Sequence, residues 1–302
     1  MIPQRHFDVI IIGGSYAGLS AAMSLGRSLR NVLVIDSGLP CNRQTPHSHN
    51  FITHDGSTPQ EIARRAKLQV ELYSTIEFEN DVAVSGSKSA HGFSVSTSGG
   101  KTFEAEKLIF ATGIRDVMPD IAGFEACWGI TVVHCPYCHG YEFRGRKTGI
   151  FANGDIAMHL AQLVGNLTRD LTIFTHGQAS FTDQQREKLA IHHIPVIDTK
   201  LSAVDHDKGH LRQLILSDGR AVELDALYAK LPFVQHSDIP AALGCELTEQ
   251  GYIKVDMLQR TTVTGVYACG DNASAMRAVA NAVSTGNMTG AAVNRELAEE
   301  RF

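Results

Sequence analysis

The chain lacks an excess of positive charge, a long apolar run and any low-complexity segment. Lys and Arg number 27 against 32 Asp and Glu, a formal net charge of −5. That balance argues against a dedicated nucleic-acid or anionic-membrane partner. No stretch approaches the roughly 18 apolar residues of a membrane span. Met1–Arg5 leads straight into the strand-like Phe7–Ile12, leaving no room for a secretory leader, so a cytoplasmic location is expected. Nor do the six cysteines form the dense framework of a small secreted domain. Cys41, Cys127, Cys245 and Cys269 are scattered singly.

What is present begins with Cys135-Pro136-Tyr137-Cys138-His139. Two thiols three residues apart on a first helical turn share a face and can close a disulfide. Such a pair is redox-active, metal-binding or inert. Zinc normally requires a second pair of Cys or His ligands at matching spacing. His134 and His139 touch the motif, while His192-His193 lies far along the chain.

With 302 residues the chain has room for two domains of about 150 residues. Phe7–Ile12 reads as a strand buried on both faces, entering Gly13-Gly14-Ser15-Tyr16-Ala17-Gly18, then a helix and a strand ending at Asp36. A second such unit starts at Lys147–Phe151, turns at Ala152-Asn153-Gly154 and continues through a helix to Leu171–Phe174. Gly265–Cys269 predicts a further strand and Ala278–Glu300 a long closing helix. The implied fold is α/β, with two Rossmann-like three-layer nucleotide-binding domains. Residues 1–114 and 246–302 are expected to form one discontinuous domain around a central domain at 115–245.

In the first turn, small residues let backbone amides approach a pyrophosphate at the helix N-terminus. Gly13 and Gly18 take the outer places and Ser15 the middle one. Asp36, 23 residues after Gly13, ends the next strand, where a carboxylate accepts from ribose hydroxyls. Tyr267-Ala268-Cys269-Gly270-Asp271 offers another carboxylate, equally readable as a helix N-cap. Ala111-Thr112-Gly113 is a strand-exit turn, and His47, His49 and His54 lie in a polar loop after Cys41-Asn42-Arg43.

Taken in order, the glycine turn, A-T-G, C-x-x-C, second βαβ turn and Y-A-C-G-D resemble the low-molecular-weight thioredoxin reductase family over essentially the whole chain. C-P-Y-C-H-G-Y-E resembles the branch that includes dithiol oxidases acting on gliotoxin- and holomycin-type metabolites. The resemblance implies a homodimeric FAD enzyme that exchanges electrons between the flavin and a dithiol. Its partner would be a thioredoxin-like protein or a small dithiol or disulfide. By position, Cys138 would be the flavin-facing sulfur, Cys135 the exchanging one and His139 the acid/base, where thioredoxin reductases carry Asp. A protonated His139 would also raise the thiolate fraction. The cofactor positions expected on this reading are Gly13, Ser15, Gly18, Asp36, Asn42, His49, Val82, Gly113, Asp271, Ala278 and Val279.

One part departs from the family pattern. Ala152 replaces the first glycine of the second turn. Thr175-His176-Gly177 offers neither an Arg cluster for a 2′-phosphate nor an acid for a ribose. NADPH binding is therefore expected to be poor. An oxygen-dependent oxidase of small dithiols, a flavin redox sensor without turnover and a zinc-stabilised interaction protein stand as alternatives.

Overall fold

The structure is a computed structural model describing residues 6–302. The leader reading at Met1–Arg5 lies outside the described residues. Two compact units are present. The first combines the chain up to Arg43 with Ser57–Arg115 and Phe233–Phe302; the second holds Gln44–Gly56 and Asp116–Pro232.

The first unit is built on a seven-stranded sheet. Ile76–Asn80, Val32–Asp36, His6–Ile12 and Thr102–Phe110 lie side by side and parallel. On its far edge Thr102–Phe110 is shared. Its opening residues pair antiparallel with Gly92–Thr97, which pairs with Ala83–Ser89; its last three pair parallel with Val266–Ala268. The central strands are apolar on both faces, as burial between layers demands. Ile10, Ile12, Leu33, Ile35, Leu108, Phe110 and Val266 meet in one core.

Two helices of this unit, Tyr16–Arg27 and Val279–Arg301, pack unusually closely. A Cβ on Gly286 would stand 2.1 Å from the Ala17 carbonyl oxygen, and one on Gly290 would stand 2.6 Å from that of Ala21. Only glycine permits this backbone approach.

The second unit repeats the plan with a five-stranded parallel sheet. Its order is Val196–Ile197, Leu171–Phe174, Thr148–Phe151, Ala226–Ala229 and Val132–Val133. An antiparallel meander, Leu201–Asp207, His210–Leu216 and Ala221–Glu223, accompanies it. The edge strand Val132–Val133 comes from upstream of the βαβ unit, whereas its counterpart Val266–Ala268 lies near the end of the chain.

These units differ from the expected 1–114, 115–245 and 246–302 in two places. The chain returns to the first unit at Phe233, because Ile239 and Cys245 are buried in that unit's core and the Gln235 amide donates to the Asn272 carbonyl. The His-bearing loop Gln44–Gly56 goes with the second unit, where Gln44 Nε2 donates to the Trp128 carbonyl at 2.7 Å. Among the described residues, no helix is long and apolar enough to cross a membrane.

Candidate flavin and dithiol sites

In the first unit the expected cofactor positions gather at one edge of the sheet. Gly13 follows the end of His6–Ile12, Asp36 ends its strand, and Val82 lies just past Ile76–Asn80. Gly113 follows Thr102–Phe110, and Asp271 follows Val266–Ala268. Register pairs Ile12 with both Ile35 and Phe110, Phe110 with Ala268, and Asp36 with Asn80, so all five exits lie along the carboxyl ends. In open α/β sheets that edge is where nucleotide ligands bind.

The glycine turn is tightly constrained. Gly13 has φ +106°, and a Cβ there would meet the Ala111 carbonyl oxygen at 2.3 Å. A Cβ on Gly18 would stand 1.8 Å from the Gly13 carbonyl oxygen. Gly14, which pattern reading passed over, faces Asp36: its amide donates to Asp36 Oδ1 at 2.8 Å, and Gly38 donates to Oδ2 at 3.1 Å. The signal was the doubled glycine.

Ser15 is the N-cap of Tyr16–Arg27 but makes no side-chain cap bond, and Ala278 stands likewise before Val279–Arg301. The other helices of eight or more described residues are capped by Thr58, Asn153 and Thr182. Open helix N-termini present amides and a positive dipole end to an anion. Two buried polar atoms also lack partners here, Asn42 Oδ1 and Asn272 Oδ1. Asn42 Nδ2 donates to the Tyr16 hydroxyl, while Asn272 Nδ2 donates to the Phe110 carbonyl and Thr112 Oγ1. Asn272 and Thr112 went unrecognised in the sequence because neither completes a spacing motif. The cradle, the open amides and the orphaned acceptors fit a flavin adenine dinucleotide. Asp271 is no helix cap. The helix starts eight residues later, and Asp271 Oδ2 lies 3.7 Å from Arg277 Nε.

In the second unit Cys135 and Cys138 form a disulfide with a Cα separation of 5.3 Å. Cys135 opens the single helical turn Pro136–His139, and the Cys138 amide donates to Cys135 Sγ at 3.1 Å. That donor favours thiolate character on Cys135. The buried Cys127 and Cys269 contrast with this pair: desolvation pushes their thiols up to about 11 and about 12.

His139 follows the dithiol but is not poised near neutrality. Burial, and then the charge of His49, hold it down at about 4, so its imidazole is neutral at physiological pH. This corrects the expectation of an imidazolium beside the thiols. His49 belongs to the loop of this second unit, with Nδ1 3.5 Å from Asp55 Oδ1 and Nε2 3.6 Å from Glu142 Oε1. Glu142 was not singled out in the sequence, lying outside the C-x-x-C-H core. Among the described residues no three His, Cys, Asp or Glu side chains converge as a metal site.

The second nucleotide-type turn is closed on itself. Asn153 Oδ1 accepts from the Gly154 and Ser180 amides, both at 2.9 Å, and from Ser180 Oγ at 3.1 Å. At the strand exit, the His176 ring lies edge-on to Phe151, and its Nδ1 accepts from the Leu201 amide. Arg186 donates to the Ala179 carbonyl at 3.2 Å and lies over the Phe181 ring.

Comparison with known proteins agrees with this architecture. A model of the pyridine nucleotide-disulphide oxidoreductases matches residues 7–286. The chain is 34% identical to the thioredoxin reductase sirT of Leptosphaeria maculans, covering 95% of this chain and 93% of the relative. It is 32% identical to the thioredoxin reductase tcpT of Claviceps purpurea, covering 98% and 96%. The crystal structure of an oxidoreductase from Agrobacterium tumefaciens superposes with a TM-score of 0.91 at 39% identity, covering 97% of this chain and 99% of that one. Sheet topology, dithiol and matched length agree: the chain belongs to the FAD-dependent pyridine nucleotide-disulphide oxidoreductases and is a thioredoxin reductase-like enzyme acting on dithiol and disulfide groups.

Proposed function

We propose that this enzyme takes its electrons from a substrate dithiol rather than from NADPH, acting as an oxygen-dependent oxidase of small-molecule dithiols. The observation that carries the reading is Asn153. Its side chain caps the helix that would receive a pyrophosphate, and no cationic cluster stands at Thr175-His176-Gly177. Lost charge-assisted contacts of ~1.5–3 kcal/mol each would weaken NADPH binding by orders of magnitude. The runner-up is the reductive direction, in which the same dithiol reduces a thioredoxin-like protein.

FAD would be held by Gly13, Ser15 and Gly18 at the pyrophosphate, by Asp36, braced by the Gly14 amide, at the ribose, and by Asn42, Val82, Gly113, Asp271, Ala278 and Val279 around the remainder. When bound, it supplies two-electron redox chemistry to the dithiol. Cys135 exchanges with the substrate sulfur, because the Cys138 amide stabilises charge on its Sγ. By its position in the family motif, Cys138 would be the sulfur that exchanges electrons with the flavin. His139, neutral at rest, accepts a proton from an incoming thiol. A homodimer is expected on the family likeness, and a cytoplasmic setting on the scattered cysteines.

Anaerobic rapid mixing of the flavin-loaded enzyme with NADPH, NADH and dithiothreitol tests the direction. Bleaching by the dithiol, lost in Cys135→Ser and Cys138→Ser, with slow bleaching by both nucleotides, is the expected result. Fast saturable bleaching by micromolar NADPH would restore the reductase direction.

A further inference from the structure

The turn from Ile12 into Tyr16–Arg27 leaves its helix N-terminus open, because Ser15 makes no side-chain cap bond. The matching turn of the second unit, from Phe151 into Gly154–Val164, is filled by its own side chain. Asn153 Oδ1 accepts from three donors: the Gly154 amide at 2.9 Å, the Ser180 amide at 2.9 Å and Ser180 Oγ at 3.1 Å. The carboxamide is oriented from its other end. Its Nδ2 donates to the Gln178 carbonyl at 2.9 Å, and only a donor can face that oxygen.

The donors come from both sides of the turn. Gly154 opens the helix, whereas Gln178 and Ser180 lie in the segment that follows the next strand, Leu171–Phe174. That segment is fastened again just beyond, where Gln185 Nε2 donates to Asp155 Oδ1 at 2.6 Å and Gln185 Oε1 accepts from the Thr182 amide at 2.9 Å. It approaches so closely that a Cβ on Gly154 would stand 3.0 Å from Ser180 Oγ. Amides and a hydroxyl converging on one oxygen form the kind of donor set that a phosphate oxygen meets in a nucleotide turn.

We propose that Asn153 and Ser180 are the specificity-determining pair of the second unit: Asn153 Oδ1 takes the place of a phosphate oxygen, Ser180 holds it there, and a dinucleotide pyrophosphate is shut out. This rests on the reading that substrate dithiols supply the electrons, and it separates two causes of nucleotide rejection. The lack of a cationic cluster at Thr175-His176-Gly177 denies recognition of a 2′-phosphate. The Asn153–Ser180 closure denies the pyrophosphate, which NADPH and NADH share.

The test is calorimetric titration of the full-length, flavin-loaded protein with ADP; its flavin site is already filled, so ADP reports on the second unit. Asn153→Ala and Asn153→Gly remove the oxygen and free its donors, so each should bind ADP about tenfold or more tightly than the wild type does. Asn153→Asp keeps an oxygen in place and should gain nothing. Adding Ser180→Ala to Asn153→Ala should reduce the gain. The opened variants should gain affinity for NAD+ and NADP+ alike, because no contact to a 2′-phosphate is restored. Folded Asn153→Ala and Asn153→Gly that bind ADP no better than the wild type, or an equal gain in Asn153→Asp, would overturn the closure and leave the dithiol-driven direction intact. A wild type that binds NADP+ at micromolar concentration would overturn both.

Discussion

The Gly14 amide donates to Asp36 Oδ1 across 2.8 Å, tying the first glycine turn to the end of the neighbouring strand. A second amide, from Gly38, holds the other carboxylate oxygen. Asp36→Ala removes both bonds, each worth about 1.5 kcal/mol at a partly exposed charged acceptor. The expected outcome is lower stability in urea and faster loss of FAD on dilution, followed by flavin fluorescence. Unaltered flavin retention would remove Asp36 from the cofactor site.

Gly18 has no space for a methyl group, whereas Gly38 has nothing within 4 Å of its missing Cβ. Gly18→Ala forces the turn apart and should cost about 1–3 kcal/mol, the usual penalty of overpacking, with most of the bound flavin lost. Gly38→Ala meets only backbone strain at φ +73° and should cost about 1 kcal/mol. Paired denaturation curves and flavin-to-protein absorbance ratios distinguish the two.

His139 makes stability pH-dependent with a definite sign. Its folded value of about 4 lies below the ordinary 6.5, so between these values the unfolded chain binds more protons. Stability from this group is complete above pH 6.5 and falls as the pH drops toward 4. At ~1.4 kcal/mol per unit the loss is on the order of 3 kcal/mol. His139→Gln should flatten the dependence in that window, as urea midpoints measured from pH 4 to 7 would reveal.

Lys107 is a buried cation, 6% exposed, with Nζ 2.7 Å from Glu296 and 2.6 Å from Glu300. Burial opposes its charge, but the two carboxylates outweigh burial and raise its pKa. Glu296 also accepts from the Tyr267 hydroxyl at 2.5 Å. Lys107→Met removes the nearer cation from Glu296, leaving it only Arg260 Nε at 3.5 Å, and should cost about 3 kcal/mol, the lower end for breaking a buried pair. Glu300→Gln, at the more exposed carboxylate, should cost under about 1 kcal/mol. Thermal unfolding of the two variants checks the ordering.

Asn153 caps the helix Gly154–Val164. Asn153→Ala should cost about 1 kcal/mol, the usual value of an N-cap, and leave flavin content unchanged. Loss of flavin in this variant would contradict the assignment of the cofactor to the first unit.

Sequence alone determined the parts whose physics is local. Apolar runs between layers had to be strands, glycines at Gly13 and Gly18 had to mark a close backbone approach, and Cys135 and Cys138 had to share a helical turn. The family followed from the order of those parts. Tertiary structure decided what depends on residues distant in sequence. Gly14 meets Asp36 only because parallel pairing aligns Ile12 with Ile35, and Asn272 meets Phe110 only because Val266–Ala268 joins the same sheet. No spacing rule could show that the loop carrying His49 packs with the dithiol unit, nor that burial there would keep His139 neutral. Desolvation and charge repulsion arise from which groups the folded chain brings together, and that information lies in no single stretch of sequence.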